Sequence, residues 1–175
     1  TSYVKGSLIR CVDPAGTYLF PVGTALGYSP ASLSGVAGTG NFSVTPVEAY
    51  IPGVQTTTSP KRYWSLTPIG GVTSANISLT YLDADLPPSP PEASYVIIRN
   101  SGGSNGMYTP TTVNTATNTF SLNGVSAFSD WTVGILAPTA AGVTVSGRVL
   151  TSNGQGLRNA VVTISDQAGH ARSAI

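Results

Sequence analysis

Apolar and polar side chains alternate over short runs along most of the chain. Ile77, Leu79 and Tyr81, for example, alternate with Ser78 and Thr80. A period of two residues places these apolar side chains on one face of an extended chain, so the pattern predicts a half-buried β-strand. No run keeps the spacing of three and four residues that an amphipathic helix requires. The chain is therefore predicted to be all-β, with almost no α-helix.

Glycine, proline and small polar residues separate these runs and set the predicted strand boundaries. Gly6 is predicted to bend or bulge the first strand region, and the most apolar run, residues 95–99, is predicted to be a central strand. The predicted strands are residues 1–12, 17–20, 31–36, 41–45, 47–50, 61–66, 77–81, 95–99, 107–110, 111–114, 118–122 and 128–135. The predicted turns and loops are residues 13–16, 21–24, 27–30, 53–60, 86–92 and 101–106.

A change in composition divides the chain near its end. Residues 137–142 are small residues and a proline, which predicts a linker between a β-sandwich domain at residues 1–136 and a second strand unit at residues 143–175. In that second unit residues 143–150, 160–164 and 170–175 are predicted to be strands. Two strands and a short third piece do not cover both faces of a sheet.

The second unit is therefore predicted to be completed by another chain, because unpaired strand edges are sites for strand addition between molecules. Its apolar side chains are the predicted subunit interface. They are Val143, Val145, Val149, Val161, Val162, Ile164 and Ile175.

Two stretches resemble known families. The run Val-Ser-Gly-Arg-Val-Leu at residues 145–150, followed by residues 156–164 and a turn at 166–169, resembles the start of a carboxypeptidase-regulatory-like (CnaB-type) domain. That family implies a small Ig-like sandwich that serves as a spacer, stalk or attachment module. Some of its members carry an internal isopeptide bond from a lysine, but the lysines here are Lys5 and Lys61, both far upstream, so the bond is not expected.

The first domain resembles a β-sandwich module of large secreted bacterial surface proteins. The resemblance lies in Gly-Thr-Tyr-Leu-Phe-Pro-Val-Gly at residues 16–23, in Tyr-Ser-Pro at 28–30 and in the ending at 128–134. It implies an Ig-like β-sandwich in a structural or adhesive setting, outside the cell or on its surface. No catalytic residues accompany this resemblance.

The composition agrees with such a setting. Charged residues are 9% of the 175 residues and the net charge is +1, whereas globular chains average roughly 25% charged residues. The chain therefore lacks the basic surface that nucleic-acid binding requires. It also lacks an apolar run long enough to span a bilayer, so neither nucleic acid nor membrane insertion is expected.

Few residues carry reactive chemistry. Asp83 and Asp85 are the only close acidic pair, and on a strand their carboxylates would share one face. Such a pair would suit calcium, because calcium sites use several oxygen ligands. Capping of a turn is the preferred reading, because a calcium site needs further ligands. Cys11 is predicted to be a buried apolar side chain, and His170 a solvated one.

Each tryptophan has two interpretations, contact with a sugar or burial in the core. Residues 61–64, Lys-Arg-Tyr-Trp, have the chemistry of a sugar-contacting edge, but burial of Trp64 in the sandwich core is the preferred interpretation. Burial is preferred for Trp131 as well. No catalytic residue, cofactor or metal is predicted. The expected function is a non-enzymatic extracellular structural subunit whose partners are copies of itself or another surface protein, with glycans as a further class of partner. The alternative is a carbohydrate-binding or adhesive module of a longer bacterial surface protein.

Overall fold

The computed structural model describes residues 2–108, 112–137, 148–165 and 171–174. The chain divides into two compact units, Thr1–Pro138 and Thr139–Ile175. Within the described residues the only helices are two short 3-10 turns, Asp83–Asp85 and Glu92–Ser94, and the all-β prediction is confirmed. In chain order the strands of the first unit are β1 (Val4–Lys5), β2 (Leu8–Val12), β3 (Tyr18–Phe20), β4 (Val22–Thr24), β5 (Gly27–Tyr28), β6 (Ala31–Ala37), β7 (Gly40–Val47), β8 (Tyr63–Gly70), β9 (Ser74–Thr80), β10 (Val96–Ser101), β11 (Ser104–Tyr108), β12 (Thr112–Asn114), β13 (Thr119–Val125) and β14 (Asp130–Gly134).

Two antiparallel sheets form a sandwich in the first unit. One sheet has the order β11-β10-β14-β8-β7-β2 and the other β12-β13-β9-β6-β3. Aromatic rings from the two sheets pack against each other. The ring centroids of Phe20 and Phe42 are 6.2 Å apart, and those of Trp64 and Phe120 are 5.7 Å apart. Strand β10, which contains most of the run predicted to be central, pairs with a neighbour on each side.

The alternation that predicted the strands also explains the core. Along β9, Ala75, Ile77 and Leu79 are buried, whereas the residues between them are only half-buried. Strand β7 alternates in the same way. Each sheet thus turns one apolar face toward the other sheet and one polar face outward, as expected for a sandwich.

Two prolines lie within strands at places where a missing N–H does little harm. Pro46 is in β7 and Pro68 is in β8. Strand β2 pairs with β7 no further than Val44, and β14 pairs with β8 no further than Ser65. Both prolines therefore lie where their strand has a ladder on one side only, the position that strands tolerate for proline.

Glycine shapes the predicted turns. Gly6 has a φ of +107° and bends the chain between β1 and β2, as predicted. Gly102 and Gly103 have φ values of +58° and +87° and join β10 to β11 in a two-residue hairpin closed by the pair Ser101 and Ser104. Left-handed φ at both central positions is the requirement of a type I′ turn.

Strands β4 and β5 depart from the prediction, which placed turns at residues 21–24 and 27–30. They form a small hairpin through Gly23 and Tyr28, and β4 also pairs in parallel with β1. Strands of two and three residues are too short to show a period in the sequence, so tertiary pairing decides them.

Two β-bulges lie on either side of Asn76, which is on the central strand β9 of the five-stranded sheet. Strand β6 shifts register between Ser34 and Ala37, and β13 shifts between Leu122 and Val125, each beside β9. The amide of Gly124 donates a hydrogen bond to Asn76 Oδ1 on β9 at 2.9 Å.

The second unit contributes two strands to the described residues, β15 (Val162–Ser165) and β16 (Ala171–Ala174), paired antiparallel. Strand β15 overlaps the predicted strand 160–164 and extends one residue beyond it, and β16 lies within the predicted strand 170–175. Of the third, residues 143–147 lie outside the described residues, and Leu150 forms an isolated bridge with Gly156. The predicted identity of this unit, and its completion by another chain, stay predictions.

Candidate functional site

Exposed apolar side chains characterise the second unit. Every described side chain from residue 148 to residue 163 is exposed except that of Ala160, which is half-buried. The larger apolar ones are 42 to 62% exposed. They are Val149, Leu150, Leu157, Val161 and Val162.

The predicted interface residues fall partly within this surface. Val149, Val161 and Val162 belong to it, with Val161 the most exposed at 62%. Ile164 is described through its backbone, which pairs with Arg172. Val143, Val145 and Ile175 lie outside the described residues. Sequence reasoning missed Leu150 and Leu157. Leu150 ends the predicted strand 143–150, on the face opposite to Val149, and Leu157 lies between two predicted strands.

The two candidate calcium ligands do not share a face. Asp83 and Asp85 are the ends of a 3-10 turn, so the strand geometry assumed for them is wrong. Asp83 accepts a hydrogen bond from Asn118 Nδ2 at 2.6 Å, whereas Asp85 is buried and its Oδ2 accepts the amide N–H of Leu82 at 2.8 Å. The described residues contain no group of three or more acidic, histidine or cysteine side chains arranged to hold a metal.

Asp85 instead pairs with Arg62 in a buried network. Arg62 Nε lies 2.5 Å from Asp85 Oδ2, and Nη2 lies 2.9 Å from Oδ1. The same guanidinium donates to Ser29 Oγ and to Thr24 Oγ1, both at 3.1 Å. The network joins three segments that are far apart in sequence. Sequence reasoning placed Arg62 in a positively charged edge and gave no signal for its partner 23 residues away.

Both tryptophans are buried, as preferred from the sequence. Trp64 is fully enclosed, and its Nε1 donates to the carbonyl oxygen of Ser29 at 3.1 Å. Trp131 is 1% exposed. The segment Lys61 to Trp64 therefore offers no tryptophan face to a sugar. Tyr63 is half-buried, and burial raises the pKa of its phenol, with the nearby charge of Asp130 adding to the effect.

Cys11 is exposed, so the prediction of a buried thiol is wrong. It lies on β2, an edge strand whose Val12 faces the core. Ile9 shares the outer face with it and is 55% exposed. His170 lies outside the described residues.

A cluster of buried phenols lies near the second 3-10 turn. Tyr81 Oη donates to Glu92 Oε1 at 2.5 Å, and Tyr95 Oη donates to the carbonyl oxygen of Thr58 at 2.8 Å. Burial raises the pKa of Tyr95 to about 12, and the negative charge of Glu92 adds to the shift. Burial also raises the pKa of Tyr81, with the hydrogen bond to Glu92 as the next cause. These phenols hold the loops together as neutral donors.

Comparison with known proteins gives no family. No protein-family model, no curated protein and no solved structure matches the chain. Among the described residues, no helix is both long and apolar enough to cross a membrane.

Proposed function

We propose that this chain is a non-enzymatic extracellular structural subunit, which assembles head-to-tail through β-strand complementation into a filament or surface layer. The observation that carries the proposal is the exposed apolar surface of the second unit. Its described part is a two-stranded hairpin and one isolated bridge. A hairpin of this size is marginal in water unless further strands or another surface cover it.

The first unit differs from the second in this respect. Among its described residues, 21 buried apolar side chains form one continuous cluster. A unit with such a core is stable without a partner, whereas the described valines and leucines of the second unit are exposed to water. This asymmetry fits a subunit with a self-sufficient body and a segment that docks onto a neighbour. An unclosed repeat of such a contact generates a filament.

The apolar surface is large enough to matter. Complete burial of a valine or leucine side chain contributes roughly 1.5 to 3 kcal/mol, and these five side chains are about half exposed. Covering them would contribute on the order of 4 to 8 kcal/mol before the costs of association. Main-chain hydrogen bonds to an added strand would increase this figure.

The proposal is tested by the assembly state of the full chain. Sedimentation velocity and negative-stain imaging are expected to find concentration-dependent polymers or fibres. Val162→Asp should abolish them, because it places a charge in the apolar contact. Ile69→Asp is the matched control, since Ile69 is 45% exposed and Val162 is 44% exposed, but Ile69 lies in the first unit. A wild-type chain that sediments as a monomer over the whole concentration range would contradict the proposal.

The second candidate is a carbohydrate-binding or adhesive module of a longer bacterial surface protein. The outward side of the five-stranded sheet favours it, because a row of serines crosses three strands there. Ser32 and Ser121 each pair with Ser78, and Ser121 Oγ donates to Ser78 Oγ at 3.0 Å. The intact mass of the natural protein discriminates the candidates, since a much larger chain favours the adhesive module.

A further inference from the structure

The turn between β4 and β5 carries an exposed leucine. Leu26 is 48% exposed, and its amide donates a hydrogen bond to Thr24 Oγ1 at 3.3 Å, which fixes the turn locally. Gly27 packs so closely that an added Cβ would lie 3.0 Å from Leu82 Cδ1. Leu82 immediately precedes the 3-10 turn Asp83–Asp85, so the turn that carries Leu26 lies next to that 3-10 turn.

The exposed acid of the 3-10 turn is Asp83. It accepts a hydrogen bond from Asn118 Nδ2, but among the described residues no basic side chain pairs with it, since the ion pair found there joins Arg62 to Asp85. An apolar side chain and an unpaired carboxylate thus lie on neighbouring turns of the first unit. We call this surface, Leu26 with Asp83, the Leu26 patch.

The buried network of Arg62 holds the two halves of the Leu26 patch together. Arg62 Nη2 donates to Thr24 Oγ1 in the β4–β5 turn at 3.1 Å and to Asp85 Oδ1 in the 3-10 turn at 2.9 Å. A buried ion pair adds little net stability over an apolar replacement, and fixing one arrangement is its best-attested use. Here it fixes the Leu26 patch before a partner binds, which lowers the ordering cost of binding.

A groove of about 340 Å³ lies in the second unit. Val149, Leu150 and Leu157 line it with exposed apolar side chains, and Arg148 adds a cation. The amide of Leu157 donates to the carbonyl oxygen of Val149 at 2.9 Å, which ties its two sides together. Gly156 also lines it, and a Cβ there would meet no atom within 4 Å, so the groove is open to an incoming side chain.

The groove and the Leu26 patch have complementary charge. Among the described residues of the second unit, 148–165 and 171–174, there is no acidic side chain, whereas Arg148 and Arg158 are exposed. Arg148 has no ion-pair partner among them. The groove therefore presents a guanidinium beside apolar walls, and the Leu26 patch presents a carboxylate beside an apolar side chain. Opposite charges across a contact speed association and fix its register.

We propose that the groove of the second unit receives the Leu26 patch of a second copy of this chain, with Leu26 covered by the apolar walls and Asp83 facing Arg148. This inference rests on the proposed assembly, because it names the surface that the second unit meets on its neighbour. The two surfaces differ, so the contact is heterologous and repeats from copy to copy without closing.

Charge reversal at either surface tests the contact. Asp83→Lys brings two cations together and Arg148→Glu brings two carboxylates together, so each should raise the concentration needed for polymers at least roughly tenfold at low salt. Both positions are exposed, so the fold should be kept. Asp130→Lys is the matched control, because it changes the net charge as Asp83→Lys does but pairs with Ser65 in the six-stranded sheet, outside the patch. Light scattering and sedimentation velocity of the full chain measure assembly.

Mixing the two charge variants distinguishes a second copy from docking within a single chain. Asp83→Lys and Arg148→Glu are each expected to stay unassembled alone. In an equimolar mixture the altered surface of one variant meets the altered surface of the other with opposite charge, and the two unaltered surfaces also match. Polymers should therefore return in the mixture, whereas docking within one chain gains nothing from mixing.

A leucine pair tests the apolar half of the contact. Leu26→Ala should raise the concentration needed for polymers roughly tenfold, because it removes most of the apolar surface that the groove covers. Leu19→Ala is the matched control, since Leu19 is 46% exposed but lies on β3, where it pairs with Ser32. It is expected to assemble as the wild type does.

The outcomes separate this contact from the assembly itself. A wild-type chain that stays a monomer overturns both proposals. If the wild type forms polymers and Asp83→Lys and Arg148→Glu do so equally well, the assembly stands and the docking of the Leu26 patch is overturned. An equimolar mixture that does not recover, or controls Asp130→Lys and Leu19→Ala that lose assembly as the test variants do, overturns it as well.

Discussion

Removal of one partner of the Arg62–Asp85 pair should destabilise the first unit strongly. Asp85→Ala would leave the guanidinium of Arg62 fully buried, without its counter-charge and without two of its four hydrogen bonds. Loss of one partner from a buried ion pair costs about 3–5 kcal/mol, mostly because the remaining charge stays desolvated. The variant also orphans the amide of Leu82. We expect a loss near the upper end of that range.

The double variant Arg62→Met with Asp85→Leu tests the physical reason. It removes both charges together, so the desolvation penalty disappears along with the attraction, and most of the stability lost in Asp85→Ala should return. Urea unfolding followed by tryptophan fluorescence measures the effect, because Trp64 and Trp131 both lie in the first unit. A cost of less than about 1 kcal/mol for Asp85→Ala, or a double variant that is less stable than it, would refute the reasoning.

Three further predictions follow from single positions. Burial raises the pKa of the Tyr95 phenol to about 12, so the unfolded chain releases this proton at lower pH than the folded chain does. The free energy of unfolding should therefore fall by up to about 1.4 kcal/mol per pH unit per phenol above about pH 10. Alkaline titration of tyrosine absorbance checks this, and ionisation of all tyrosines in the folded state would contradict it. Gly38→Ala should lower the free energy of unfolding by more than about 2 kcal/mol, because φ is +85° and a Cβ would overlap a carbonyl oxygen of the β8–β9 turn. In the control Gly106→Ala the new Cβ meets only ordinary contacts. Matching urea midpoints for the two variants would refute this reasoning. Cys11 should react fully with an aromatic disulfide reagent without denaturant, and a thiol that reacts only in urea would show that it is buried.

Much of the fold was predictable from the chain because each sheet has one apolar and one polar face. In β9 the alternation of Ile77 and Leu79 with Ser78 predicts both the strand and the face that is buried. The hairpin at Gly102 and Gly103 was also predictable, because few other residues accept two left-handed φ values in succession.

The failures share a physical cause: the sequence carries no information on which elements lie beside a residue. Leu8 and Val12 are as apolar as Ile9 and Cys11, so alternation alone does not say which face of β2 points inward. A neighbouring sheet decides it. The orphaned N–H of Trp131 is likewise visible only when the surrounding acceptors are placed.

The candidate site was less predictable than the fold. The valines of the second unit were recognised from their β-branched run, and Val161 and Val162 are exposed in the structure. Asp83 and Asp85 were predicted on a strand, but they lie in a 3-10 turn, and Asp85 pairs with the buried Arg62. Long-range pairing of Arg62 with Asp85 left no local pattern to detect.

The most direct test of the assembly proposal is hydrogen–deuterium exchange of the second unit at two protein concentrations. If another copy adds a strand to this unit, the amides of Val162–Ser165 should become markedly more protected in the concentrated sample, while those of β9 stay equally protected in both. Protection of Val162–Ser165 that is independent of concentration, in a sample that sediments as a monomer, would contradict strand complementation between subunits.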